Sequence, residues 1–159
     1  MRTAALKRSA PRVHIRAATL DDLDALMTLE QSVFAADCMA RKNLKRFLCV
    51  PTAVVLIADC DGEALGCAIV SFRAASDQAR LYSLAVARPS EGCGIATLLL
   101  EGAETAARQR NCRQIRLEVH ERNARAIACY CKVGYCEFER RVGYYKDLGD
   151  ALRFRKDIA

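Results

Sequence analysis

Three polar side chains in one short stretch could share a reaction. Residues 117–138 read LEVHERNARAIACYCKVGYCEF. Glu118 lies in an alternating segment, Gln114 to Val119. There Ile115, Leu117 and Val119 fall on one side and Arg116, Glu118 and His120 on the other, the pattern of a half-buried strand. Asn123 then opens a helix that runs to Val133 and stops at Gly134. Tyr130 lies on that helix, twelve positions after Glu118. A carboxylate on a strand facing a phenol on the next helix is a base–acid pair. The carboxylate takes a proton, directly or through water, and the phenol, with a reference pKa of about 10, gives one to a leaving group. Each residue also has a plainer reading. Glu118 could pair with Arg116, two residues back on the same face. Tyr130 shares a helix face with Ile127 and could be a core aromatic. Asn123 could be only a helix cap.

A second stretch could hold an anion. Residues 81–100, LYSLAVARPSEGCGIATLLL, read as a strand, a loop with Gly92 and Gly94, and a helix start. A helix N-terminus offers unpaired N–H groups and the positive end of the macrodipole, and glycines allow a phosphate close approach. A strand-to-helix turn that binds nothing is the plainer reading.

The whole chain narrows the chemistry. Its 159 residues suit one domain with a good core. A 52% apolar and 28% charged composition is ordinary for a globular protein. The apolar runs fall far short of the roughly 20 residues that span a bilayer, so no membrane association is expected. Residues 1–12 are basic without an apolar centre, which reads as a tail rather than a secretory signal; residues 13–159 read as the domain. Nine cysteines, an odd number with no C-x-x-C, point to free thiols in a reducing, cytoplasmic compartment. Cys129, Cys131 and Cys136 lack zinc spacing and only His14 and His120 are histidines, so no metal is expected. The net charge of +6 suits an anionic ligand. No basic block is interleaved with aromatics, which argues against direct nucleic-acid binding.

The elements that must position these residues read as strand, helices, three strands, helix, strand, helix, two strands. Val13 to Ala17 is a short strand, and Thr19 caps a helix with Leu23, Leu26 and Met27 on one face. Arg41 to Leu48 is a second helix. Ala53 to Ala58 and Ala64 to Phe72 are strands joined by the turn at residues 60–63, and Arg80 to Ala87 is another. Gly94 to Arg110 is a long helix with Ile95, Leu98, Leu99, Gly102 and Ala106 on one stripe. Tyr135 to Val142 and Ala151 to Lys156 form a closing pair. The alternation predicts a three-layer α/β domain with a mixed sheet.

The glycine loop resembles motif A of the GCN5-related N-acetyltransferase (GNAT) superfamily, in which an S-x-A-V strand leads to R/Q-x-x-G-x-G/A and a helix. Ser83 to Val86 match the strand, and Glu91 to Ala96 match the loop. The resemblance implies a central mixed, largely antiparallel sheet of about seven strands with about four helices. It also implies acetyl-CoA as co-substrate. The pantetheine arm would lie along the backbone of Leu84, Ala85 and Val86, and the pyrophosphate on the amides of Glu91, Gly92, Cys93, Gly94, Ile95 and Ala96. Glu91 departs from the usual Arg or Gln, and Cys93 fills a place that is often basic. A carboxylate there repels a pyrophosphate and should weaken binding rather than abolish it; Arg88 is a nearby cation in the sequence.

Over residues 117–135 the pattern L-E-V-x-x-x-N-x-x-A-x-x-x-Y-x-x-x-G-[FY] resembles bacterial ribosomal-protein alanine N-acetyltransferases. That likeness implies Glu118 as general base, Tyr130 as general acid and Asn123 as a cofactor contact. Residues 143–154, GYYKDLGDALRF, are similar to the ending of N-terminal acetyltransferases, which implies that Tyr144 and Tyr145 line a peptide site. The resemblance covers about residues 13–157. It implies direct acetyl transfer, in a ternary complex, to the N-terminal α-amine of a protein, a ribosomal protein being one such acceptor. Two alternatives stand beside it: transfer to a lysine side chain or small amine, and a non-catalytic acyl-CoA-binding domain.

Overall fold

The computed structural model describes residues 12–159. The expected basic tail therefore lies outside the described residues, Arg12 excepted. The strands are β1 (Val13–Ala17), β2 (Ala53–Cys60), β3 (Glu63–Phe72), β4 (Gln78–Val86), β5 (Gln114–His120), β6 (Cys136–Arg141) and β7 (Ala151–Asp157). The helices are α1 (Leu23–Phe34), α2 (Arg41–Cys49), α3 (Ile95–Gln109) and α4 (Ala124–Lys132). One seven-stranded sheet runs in the order β1-β2-β3-β4-β5-β7-β6. Every neighbouring pair is antiparallel except β4 with β5. The expected closing pair exists, but β7 inserts between β5 and β6.

Two cores lie on opposite faces of the sheet. On one, α1 and α2 bury Leu23, Leu26, Leu44 and Phe47 against Val55, Ile57 and Ile69. On the other, α3 and α4 bury Ile95, Leu99, Ala103 and Tyr130 against Leu81, Ile115, Leu117 and Phe154. Both stripes come from period-two strands facing amphipathic helices. The α3 stripe is rotated from the sequence expectation. Leu98 is exposed, while Leu100, Ala103 and Ala107 are buried. The small side chains at 103 and 107 let the helix lie close to the sheet. Gly66 on β3 serves the same approach, because a Cβ there would come 2.8 Å from the Ala85 carbonyl and 3.0 Å from Leu99.

Two irregularities of β4 open the site. Ile69 pairs with Ser83 and Val70 with Leu81, so Tyr82 is an unpaired bulge residue. The extra residue flips the alternation. Before it, Ala79 and Leu81 face the α3 core; after it, Ala85 faces the α1 core and Leu84 and Val86 pack towards α3. The parallel ladder between β4 and β5 holds only three pairs, from Gln78 with Gln114 to Arg80 with Arg116. Beyond it β4 pairs with β3 alone, leaving β4 and β5 as facing walls.

Candidate active site

A cleft of about 1060 Å³ lies at this parting. Tyr82, Ser83, Leu84 and Val86 line it from β4, Glu118, Val119 and His120 from β5, the loop and first turn of α3 from a third side, and α4 from a fourth. A second cleft of about 490 Å³ lies between the end of α1 and the loop before β7. Glu30, Met39, Asn43, Arg80 and Tyr144 line it alone, whereas Phe34, Tyr82, Ser83, Glu118 and Tyr145 line both. The two clefts therefore meet at the expected base.

Glu118 is largely buried and is flanked by two guanidinium groups. Arg80 Nε donates to Oε2 at 3.1 Å, and Arg153 Nε lies 3.4 Å from Oε1. The partner suggested by the sequence, Arg116, instead donates to Gln114 at 2.7 Å. The correction has a simple cause. Arg80 arrives from β4, and Arg153 is directly opposite Glu118 on β7, so cross-strand neighbours win over an i, i+2 neighbour.

Tyr130 is buried against Tyr135 and Phe154, with ring centroids 5.9 and 6.4 Å away. It is thus a core aromatic and also part of the larger cleft's wall. Burial pushes its phenol well above the ordinary tyrosine range, with smaller contributions from Cys129 and Tyr145. A neutral hydroxyl facing a cleft can act only as a proton donor or a hydrogen-bond partner. Asn123 caps α4, its Oδ1 accepting the Ala126 N–H at 3.2 Å, and it also lines the larger cleft.

Gly92 and Gly94 have φ values of +78° and +80°, a left-handed region that glycine enters without a Cβ clash. The amides of Gly92, Gly94, Ile95, Ala96 and Thr97 have no acceptor among the described residues, as expected at a helix start. Glu91 pairs with Arg125 of α4 at 2.7 Å. The cation beside Glu91 is thus Arg125, not Arg88. Cys93 and Ala85 do not line the cleft; the Cys93 thiol turns back towards the Glu91 carbonyl at 3.9 Å.

The loop before β7 carries Tyr144 and Tyr145, which meet edge-on at 5.1 Å between centroids. Tyr145 stacks on His120 at 4.8 Å. His120 Nδ1 accepts the Arg122 N–H at 3.1 Å, so Nε2 carries the proton and donates to Asp147 at 2.9 Å. This fixes the ring on which Tyr145 rests. Burial, followed by Tyr144 and Glu118, pushes the Tyr145 phenol up to about 12. Across the smaller cleft, Glu30 accepts the Met39 N–H at 2.9 Å, and burial raises its carboxyl above the usual range. Arg80, Arg125, Arg153 and Glu30 were invisible to the sequence reading. Each lies on a different element from the residue or cleft it serves, and no local pattern marks it.

Similarity to known proteins agrees with this architecture. The Acetyltransferase (GNAT) family model matches residues 20–135. The N-terminal acetyltransferase A complex catalytic subunit of Arabidopsis thaliana is 28% identical over 150 residues, 92% of this chain and 78% of that protein. The crystal structure of the ribosomal-protein-S18-alanine N-acetyltransferase from Escherichia coli has a TM-score of 0.84 at 26% identity, over 93% of this chain and 95% of that one. The PaiA N-acetyltransferase from Thermoplasma acidophilum, solved in complex with coenzyme A, shares the fold at a TM-score of 0.77 and 17% identity, over 92% of this chain and 99% of that one. The chain belongs to the GNAT acetyltransferase family and is an N-acetyltransferase.

Proposed function

We propose that this N-acetyltransferase transfers the acetyl group of acetyl-CoA directly to the α-amine of a protein N-terminus. The observation that carries the reading is the pair of clefts meeting at Glu118 and Tyr145. A donor and an acceptor can enter from two sides and react in one ternary complex without an acyl-enzyme.

The larger cleft fits acetyl-CoA. Its volume reaches the upper end of ordinary ligand sites. The unpaired amides of Gly92 and Gly94 to Thr97 suit a pyrophosphate, and the edge of β4 from Ser83 to Val86 that faces β5, free of ladder pairing on that side, offers backbone groups to an amide-bearing arm. Acetyl-CoA supplies the acetyl group as a reactive thioester. Glu118 takes the proton of the incoming amine, directly or through water. Tyr130, kept neutral by burial, gives a proton towards the sulfur side. Asn123 holds the start of α4 and its Nδ2 faces no acceptor among the described residues. Tyr144 and Tyr145 form the wall for the first residues of the acceptor.

An α-amine suits this machinery. At a reference pKa near 8, its deprotonation at pH 7 costs about 1.4 kcal/mol, against nearly 5 kcal/mol for lysine near 10.4. Glu30 and Asp37 around the smaller cleft, which have no ion-pair partner among the described residues, favour an approaching ammonium group. The name of the Arabidopsis relative, an N-terminal acetyltransferase catalytic subunit, adds support, and that of the Escherichia coli relative names an alanine of a ribosomal protein; ribosomal proteins are among the first acceptors to try.

The test is acetylation of peptides with free N-termini against the same peptides N-blocked but carrying an internal lysine. Turnover confined to free N-termini is expected. Turnover of the blocked lysine peptide, or of small amines alone, would replace the reading with the corresponding alternative. Acetyl-CoA binding without any transfer would point to a non-catalytic acyl-CoA-binding domain.

A further inference from the structure

The sheet face around Glu118 carries an arrangement that the chemistry above does not use. Arg80 on β4 is paired in register with Arg116 on β5, and Arg116 with Arg155 on β7. All three lie on the face opposite Ile115 and Leu117. On that face α1 and α2 cover β2, β3 and β4, and among the described residues no helix packs over β5 and β7. Like charges directly opposed across strands repel.

The neighbouring row is balanced. Glu118, Arg153 and Glu139 are in register there, with Arg153 salt-bridged to both carboxylates. The arginine row is not. Arg80 alone reaches a carboxylate, Glu118. Arg116 has only the neutral Gln114, and Arg155 has no ion pair among the described residues. The ring of Phe138 gathers the guanidinium groups of Arg116, Arg153 and Arg155 at 4.9, 4.9 and 5.1 Å. Arg116 and Arg155 are thereby held in place by an aromatic face rather than by an anion.

We infer that this row binds an acidic segment of the acceptor protein, just downstream of the N-terminus being acetylated. The inference rests on the function proposed above. Arg80 lines the smaller cleft together with Glu118, so the acceptor cleft opens onto the row. Arg116 lies two residues from Glu118 along β5, about 7 Å. The row itself spans two strand spacings, about 10 Å, the reach of about three extended residues. An acceptor with its amine at Glu118 therefore brings roughly its third to sixth residues over the arginines. Asp or Glu there would neutralise them.

The experiment compares steady-state acetylation of peptides that differ only at positions three to six, where they carry acidic, uncharged polar or Arg residues. It uses the wild-type protein and the double variant Arg116→Ser, Arg155→Ser. The acidic peptide should show a KM about tenfold below the uncharged one, the sum of two partly exposed charge contacts, with kcat unchanged. The advantage should vanish in the double variant and shrink at high salt. The uncharged peptide should behave alike with both proteins, which also reports that the variant is folded. Equal KM for all peptides, or an acidic advantage that survives the double variant, overturns the inference while leaving N-terminal acetylation standing. So does loss of RNA oligonucleotide binding in the double variant with peptide kinetics unmoved, which would assign the row to a nucleic acid. Failure of every free N-terminus to be acetylated removes the proposed function and this inference together.

Discussion

Arg125 on α4 and Glu91 in the glycine loop form an ion pair with 2.7 Å between Nη1 and Oε2. The pair joins two sides of the larger cleft, proposed above to take the donor, at the place where the loop's own sequence is least suited to phosphate. Arg125 offsets the loop carboxylate and, at the same time, is withheld from any phosphate placed there.

Glu91→Gln should therefore tighten acetyl-CoA binding by about two- to fivefold, because it removes a repulsion and frees Arg125; the contact is exposed and its worth is modest. Arg125→Ala should weaken binding by a similar factor. Calorimetry on the three proteins checks both, and equal dissociation constants would place the phosphates away from this pair.

Glu118→Gln should lower kcat by about a hundredfold or more, the range for loss of a general base, with acetyl-CoA affinity nearly unchanged. It also leaves Arg80 and Arg153 without their shared carboxylate, so thermal unfolding should be measured beside turnover. Wild-type kcat in a folded variant would remove Glu118 as the base.

Tyr130→Phe should lower kcat by about ten- to a hundredfold with little loss of stability, since the hydroxyl has no hydrogen-bond partner among the described residues. The pH profile carries a further check. The rate should rise with pH through the α-amine pKa near 8. It should show no falling limb from tyrosine in the accessible range, because burial raises the Tyr130 phenol well above the ordinary tyrosine range and that of Tyr145 to about 12. A descending limb at pH 9–10 that disappears in Tyr130→Phe would show a phenol that titrates normally.

Asp22 anchors the start of α1 to β1. Hydrogen bonds from Arg16, then from the Thr19 backbone, hold its carboxyl at about 2 against the usual 3.8. A depressed folded-state value means that the stabilisation is present above about pH 4 and is lost as pH falls towards 2. Arg16 is 42% exposed, so solvent screening reduces the effect to about 1 kcal/mol. Asp22→Asn should lower Tm by about 2–4 °C at pH 7 and make little difference once the pH is below about 2. An equal deficit at both values would mean packing rather than charge.

Gly149→Ala should disturb the wall proposed for the acceptor. A Cβ there would collide with His120 Nε2 and come 2.9 Å from Asp147, and His120 is the surface on which Tyr145 rests. Peptide KM should rise several-fold with acetyl-CoA affinity unchanged. An unaltered peptide KM would show that the loop before β7 adapts without moving Tyr145.

Much of the fold was legible in the sequence because it rests on period and punctuation. Alternation marked β5 and placed Glu118 on the face away from Ile115, Leu117 and Val119. Asn123 and Gly134 bracketed α4 to within a residue or two. The α3 stripe was less legible, since a run of Leu98, Leu99 and Leu100 offers three apolar choices and only contact with the sheet selects two.

The sequence by itself determined the elements, the strand carrying Glu118, the helix carrying Tyr130 and the glycine turn between β4 and α3, because each depends on backbone preferences within a few residues. Only the tertiary structure decided which charges meet. Arg80 and Arg153 at Glu118, Arg125 at Glu91, and the row of Arg80, Arg116 and Arg155 arise from strand order and register. Insertion of β7 between β5 and β6 and the parting of β4 from β5 are long-range pairings. Their free energy comes from burying apolar side chains on the two faces of the sheet under helices distant in the chain, which no local stretch of the chain records.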